Sequence, residues 1–154
     1  MSLPITQPGY DALKERLRLV KIEFEKMPEL IAIARAKGDL KENADYHAAR
    51  EKQGMLKAEM DKLNGDLMQA QVIDPAKLPP DTITFGKRVK LEDLDTKEII
   101  TWRILGPGEA NSEKGEISVT SQLAKGILGK KAGMEAAIVV PAGAKRYRIL
   151  EVFL

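Results

Sequence analysis

The chain contains no cysteine, one histidine, and aromatic residues at only 5%. Without cysteine there are no disulfides and no thiolate chemistry. With His47 alone, Ser-His or Cys-His catalysis and histidine-rich zinc sites have little to build on. No uncharged apolar run approaches the ~20 residues of a membrane span. The opening MSLPITQPGY lacks the basic and apolar regions of a signal peptide. Cytoplasmic residence with no membrane contact is therefore expected. Charge of one sign is scarce as well: the formal net charge is +2 over 154 residues. Split at Asp74, the chain has 12 basic and 13 acidic residues before and 13 basic and 10 acidic residues after. Bulk attraction to nucleic acid is not indicated, and any charge function must reside in local patches.

What is present is charge of both signs, 31% of residues, with an apolar fraction of 44% that is too high for a disordered chain. In the first half the apolar residues are ordered. Leu13, Leu17, Val20, Phe24, Met27, Ile31 and Ala34 step alternately by four and three, a heptad seam. Tyr46, Ala49, Gln53, Leu56, Met60, Leu63, Leu67 and Ala70 repeat the pattern. Two seams joined by a short connection predict an antiparallel helical hairpin, a coiled coil over 1–74. Thr6 and Pro8 predict its start, an oxygen for free amides followed by a first-turn proline. Pro28, inside the first arm, predicts a kink or short break near Glu25 to Met27.

Three prolines between Val72 and Thr82 end the helical pattern, and 75–82 reads as a linker. Beyond it, in 83–154, the period becomes alternating. Strands are expected around Arg88–Leu91, Glu98–Leu105, Glu116–Thr120, Ala136–Val140 and Lys145–Phe153. A turn joins the last two at Val140–Gly143. Ser121 is expected to cap a short helix ending near Gly129. The fold class is α+β: a helical hairpin, then an antiparallel sheet domain with one short helix.

The connection between the arms, GDLKENADYHAAR, concentrates the residues that could carry chemistry. Asp39 and Glu42, three apart, fit a capping-box variant with Asp39 as the cap of the second helix. The same spacing places both carboxylates on one face at the hairpin's end. One or two carboxylates with waters and a phosphate is a usual way to hold Mg²⁺, so the pair is also half a metal site, completed only inside a partner. Arg35 and Arg50, on facing arms, fit either a solvated mixed-charge face or paired contacts to an RNA backbone. Tyr46 either closes the hairpin or stacks a base. Trp102 fits a core or interface anchor, and Lys145, Arg146 and Arg148 fit a solvated strand face or a contact with a protein partner.

GDLKENADYHAAREKQ followed by QAQVID resembles the Gre family of bacterial transcript-cleavage factors, on its GreA-like side. ITQPGYDALKERL resembles the family's opening helix, FGKRVKLEDL the start of its second domain, and ISVTSQLAKGILGKKAGM its second signature, so the resemblance spans nearly the whole chain. It implies a monomer with an N-terminal antiparallel coiled coil and a C-terminal FKBP-like domain that docks on bacterial RNA polymerase. The coiled coil would enter the polymerase's secondary channel. The factor would not be an enzyme itself: its tip acids complete a Mg²⁺ site shared with the polymerase, which then hydrolyses the 3′ part of backtracked nascent RNA. Carried over by position, the two acids are Asp39 and Glu42, the basic patch is Arg35 and Arg50, and Asn43 and Tyr46 support the tip. The FKBP likeness does not imply prolyl isomerase activity. Three departures stand out: Asp45 replaces the more usual Glu, Gln122 replaces Pro, and EFEKMPE carries its proline nearer the tip without the commoner basic residue. A noncatalytic channel regulator, a plain coiled-coil adaptor and an autonomous nuclease are the competing readings. Two exposed carboxylates with no enclosed metal site speak against the last.

Overall fold

The computed structural model describes residues 2–154 and divides into two compact units, Tyr10–Gln69 and a second made of residues up to Gly9 together with Ala70–Leu154. The first unit is the hairpin. Its arms are α1 (Gln7–Arg35, whose first residues group with the other unit) and α2 (Ala44–Gln69). Leu17, Val20, Met27, Ile31, Leu56 and Leu63 form its buried core, with Leu13, Phe24, Tyr46, Ala49, Met60 and Leu67 packed beside them. These are the seam residues, so the heptad spacing alone selects the buried face. Across the arms the Arg16 guanidinium donates to Glu59 at 2.6 Å.

Thr6 starts α1 as expected, its hydroxyl accepting from the Gly9 amide at 3.2 Å. The expected break at Pro28 is absent: α1 runs unbroken through it. Pro28 is exposed while Met27 and Ile31, on either side of it, are buried in the seam. Tertiary packing over the whole arm thus outweighs the loss of one backbone hydrogen bond.

The residues flanking the hairpin pair with each other. β1 (Leu3–Ile5) lies parallel to β2 (Ala70–Val72), in register Leu3 with Ala70. Ala70, which the seam spacing placed on the second arm, is therefore a strand residue. Residues 3–9 and 70–74 group with the sheet unit, although the sequence pattern had joined them to the hairpin. The segment read as linker holds a single 3₁₀ turn, Pro75–Lys77, capped by Asp74. The buried Lys87 ammonium ties this turn to the sheet unit by donating to the Pro75 carbonyl at 3.1 Å.

The main sheet contains β3 (Arg88–Asp93), β4 (Ile99–Leu105), β5 (Glu116–Ser118), β6 (Glu135–Val140) and β7 (Gly143–Phe153) in the order β5-β4-β3-β7-β6. All pairings are antiparallel except β4 with β5, which is parallel. The expectation of a wholly antiparallel sheet is corrected at that edge. The reason is the long connection from Gly106 to Gly115, which returns the chain to run β5 alongside β4 rather than against it. β6 and β7 meet at Pro141-Ala142, with Val140 paired to Gly143. The helix α3 (Gln122–Ile127) is capped by Ser121, whose hydroxyl accepts from the Ala124 amide at 3.1 Å. A Cβ on Gly126 would lie 2.7 Å from the Ile138 side chain, so glycine lets α3 settle closely on β6. Ile83, Val89, Leu91, Ile104, Ala124, Ile127, Ala136, Ile138 and Ile149 are the core, with Trp102 packed against it.

Candidate functional site

The hairpin's tip is built around Asn43. Helix α1 ends at Arg35 and α2 begins at Ala44, so residues 36–43 are a loop. The Asn43 side-chain carbonyl accepts from the Tyr46 amide at 3.0 Å, which caps α2. Its side-chain amide donates to the Ala34 carbonyl at 2.6 Å, at the end of α1, where the Lys37 amide also donates at 3.1 Å. One buried side chain thus serves both helix ends and fixes the arms to each other.

This relocates the cap that the spacing assigned to Asp39. Among the described residues Asp39 accepts only from the Lys41 amide, at 3.1 Å, in a local turn five residues before α2. Glu42 lies in the same turn and makes no side-chain hydrogen bond or ion pair among the described residues. Both carboxylates are exposed. They line one open depression of about 420 Å³ together with Lys37, Gly38, Asn43, Ala44 and Asp45. Asp45, the third acid, is turned to its own cation, with Lys37 Nζ at 3.3 Å.

The two carboxylates provide hard oxygen donors of the kind Mg²⁺ takes, which is usually held by one or two carboxylates plus phosphate or water. Among the described residues no group of three or more His, Cys, Asp or Glu side chains could hold a metal ion. The donor set fits a shared Mg²⁺ site, with the remaining oxygens drawn from outside the chain.

Behind the acids, the Arg35 guanidinium stands over the Tyr46 ring, 5.7 Å from its centroid. Tyr46 is half-buried on the seam, and the His47 ring meets it edge-on at 5.6 Å. Arg50 lies one helical turn beyond Tyr46, exposed, and donates to Gln53 at 3.3 Å. The aromatic ring thus meets Arg35 across the arms, while Arg50 is held by Gln53. The function of Asn43 as a double cap was not legible from spacing, because one of its two partners lies on the other arm.

Residues 3–72 match the family model described as the N-terminal part of transcription elongation factors, and residues 78–153 match the C-terminal part of GreA/GreB. The chain is 46% identical over 151 residues to the transcription elongation factor GreA of Helicobacter hepaticus, covering 97% of this chain and 93% of that protein. It is 43% identical to GreA of Thermodesulfovibrio yellowstonii, covering 97% and 96%. Among solved structures, GreA factor homolog 1 (Gfh1) of Thermus thermophilus matches at 22% identity over the full length of both chains, with a TM-score of 0.47. With two family models and curated relatives spanning it almost end to end, the chain belongs to the GreA/GreB family of transcription elongation factors.

Proposed function

We propose that this elongation factor delivers its hairpin tip into the secondary channel of RNA polymerase and stimulates Mg²⁺-dependent hydrolysis of the 3′ part of backtracked nascent RNA. The observation that supports this most is the free state of the tip acids. Asn43 holds the fold of the tip, while Asp39 and Glu42 are exposed and not neutralised by the chain. Asp39 makes only a local turn bond and Glu42 no side-chain bond among the described residues, which suits a role in a site completed by another molecule.

In that role Asp39 and Glu42 would hold Mg²⁺ together with groups of the polymerase, and the ion so held would supply Lewis-acid activation of the phosphoryl group and of a water for hydrolysis. Arg35 and Arg50 contact RNA phosphates and hold the backbone in register. Tyr46, kept in place by the seam, orients Arg35 and offers a face to an unpaired base. The polymerase remains the catalyst, and the factor supplies positioning and charge.

The test is cleavage of end-labelled RNA in a stalled, backtracked elongation complex with Mg²⁺. The wild-type chain is expected to shorten the RNA faster than polymerase alone, and Asp39→Asn to lose about 10²-fold or more of that acceleration. Binding to the polymerase without acceleration would overturn the cleavage reading and leave a channel regulator that does not cleave.

A further inference from the structure

The sheet unit carries a second charged site, distant in sequence from the tip. In the antiparallel pairing of β3 with β4, Arg88 lies directly opposite Arg103. In the parallel pairing of β4 with β5, Arg103 lies beside Glu116. Side chains directly opposite each other share a face, and like charges so placed are destabilising unless something lies between them. Among the described residues, no ion pair or side-chain hydrogen bond compensates Arg88, Arg103 or Lys114. Arg103 Nε is buried and has no partner, an unmade donor bond that a folded chain seldom leaves open.

These groups surround one cavity of about 280 Å³, lined by Arg88, Thr101, Arg103, Lys114, Gly115 and Glu116. Glu116 is its only carboxylate, and one of its oxygens already accepts from the Asn111 amide at 3.1 Å. Three cations against one carboxylate leave a local excess of two positive charges. Two guanidinium forks facing across adjacent strands fit the oxygens of a phosphate group by paired hydrogen bonds. The cavity is at the small end of ligand sites and large enough for a compact multivalent anion.

We propose that this cavity binds a small phosphate-class anion of pyrophosphate size, with Arg88 and Arg103 as the fork and Lys114 as the third cation. The site is independent of the tip's proposed chemistry. The experiment is an amide NMR titration of the full chain with inorganic pyrophosphate, against sodium chloride at matched ionic strength. Saturable shifts are expected at Arg88, Thr101, Gly115 and Glu116 with pyrophosphate only. Arg88→Gln, Arg103→Gln and Lys114→Gln should each weaken binding at least about tenfold, whereas Lys125→Gln on α3 should bind as wild type. Lys114 is exposed on a 3₁₀ turn, so its variant tests the site even if a strand variant fails to fold. Shifts equal to those in chloride, unchanged affinity in the variants, or shifts centred on Lys145–Arg148 would each overturn the proposal. So would a clear preference for single-stranded RNA with shifts spread over the sheet.

Discussion

The acids of the sheet unit and the acids of the hairpin tip are the same residue types in opposite employment. In the sheet unit several of them hold the chain. Glu109 accepts from the Thr6 amide and hydroxyl at 2.9 and 2.8 Å and fastens the N-terminal segment. Asp93 accepts from the Asp95 and Thr96 amides, Asp74 caps the 3₁₀ turn, Asp81 takes the Lys131 ammonium, and Glu135 takes Arg148. At the tip a neutral side chain, Asn43, does the structural work, and Asp39 and Glu42 are left over. The contrast separates acids whose removal should damage the fold from acids whose removal should damage only function.

The sharpest way to break this comparison on the structural side is Asn43→Ala. It removes the cap of α2 and the bond that joins it to the Ala34 carbonyl at the end of α1. A stability loss of about 2–3 kcal/mol is expected in urea denaturation followed by helical circular dichroism. A loss indistinguishable from that of Asp39→Ala, expected below about 0.5 kcal/mol, would remove the distinction between the two residues.

A smaller effect is expected from Glu109→Gln. The amide keeps one acceptor oxygen and loses the charge that strengthens both bonds from Thr6, for a cost of about 1–2 kcal/mol. Hydrogen exchange should show faster opening of the β1–β2 pair, while exchange along the middle of α2 stays as in wild type. Equal acceleration in both regions would mean that Glu109 supports the whole chain rather than its own segment.

The smallest effect is a pH dependence. The Asp95 and Thr96 amides, donating to Asp93, hold its carboxyl below the usual carboxylate range. A folded-state value below the unfolded one means that this stabilisation is fully present above the unfolded value. It is lost as pH falls through the folded value. Thermal melts over an acid series should show a part of the acid destabilisation that disappears in Asp93→Asn. A stability gain on acidification traced to Asp93 would reverse the sign and refute the assignment.

Most of the architecture was legible because it is written in periods. The alternating three-and-four spacing gave both arms and their buried core, and the change to period two marked the sheet. Ser121 and the Val140–Gly143 turn were readable from local chemistry. What escaped was non-local. Three-residue strands such as Leu3–Ile5 and Ala70–Val72 are too short to carry a period, and some sixty-five residues separate them. The direction of β5 depends on a loop's return path, not on its own residues. At the tip, the sequence spacing gives the helix cap to Asp39, whereas the structure gives it to Asn43. The Ala34 carbonyl on the opposite arm decides between them, and only the folded hairpin brings it near. The convergence of Arg88 and Arg103 likewise needs strand register, since fourteen intervening residues hide it.

The central claim is that the tip's acids are spare to the fold and necessary to the function. Measuring thermal stability and RNA cleavage on the same Glu42→Gln preparation tests it most directly. Glu42 makes no side-chain bond among the described residues, so the variant's melting temperature should match wild type, while stimulated cleavage by the polymerase should fall about 10²-fold. A variant that melts earlier in step with its lost activity, or one that keeps full activity, would contradict the account.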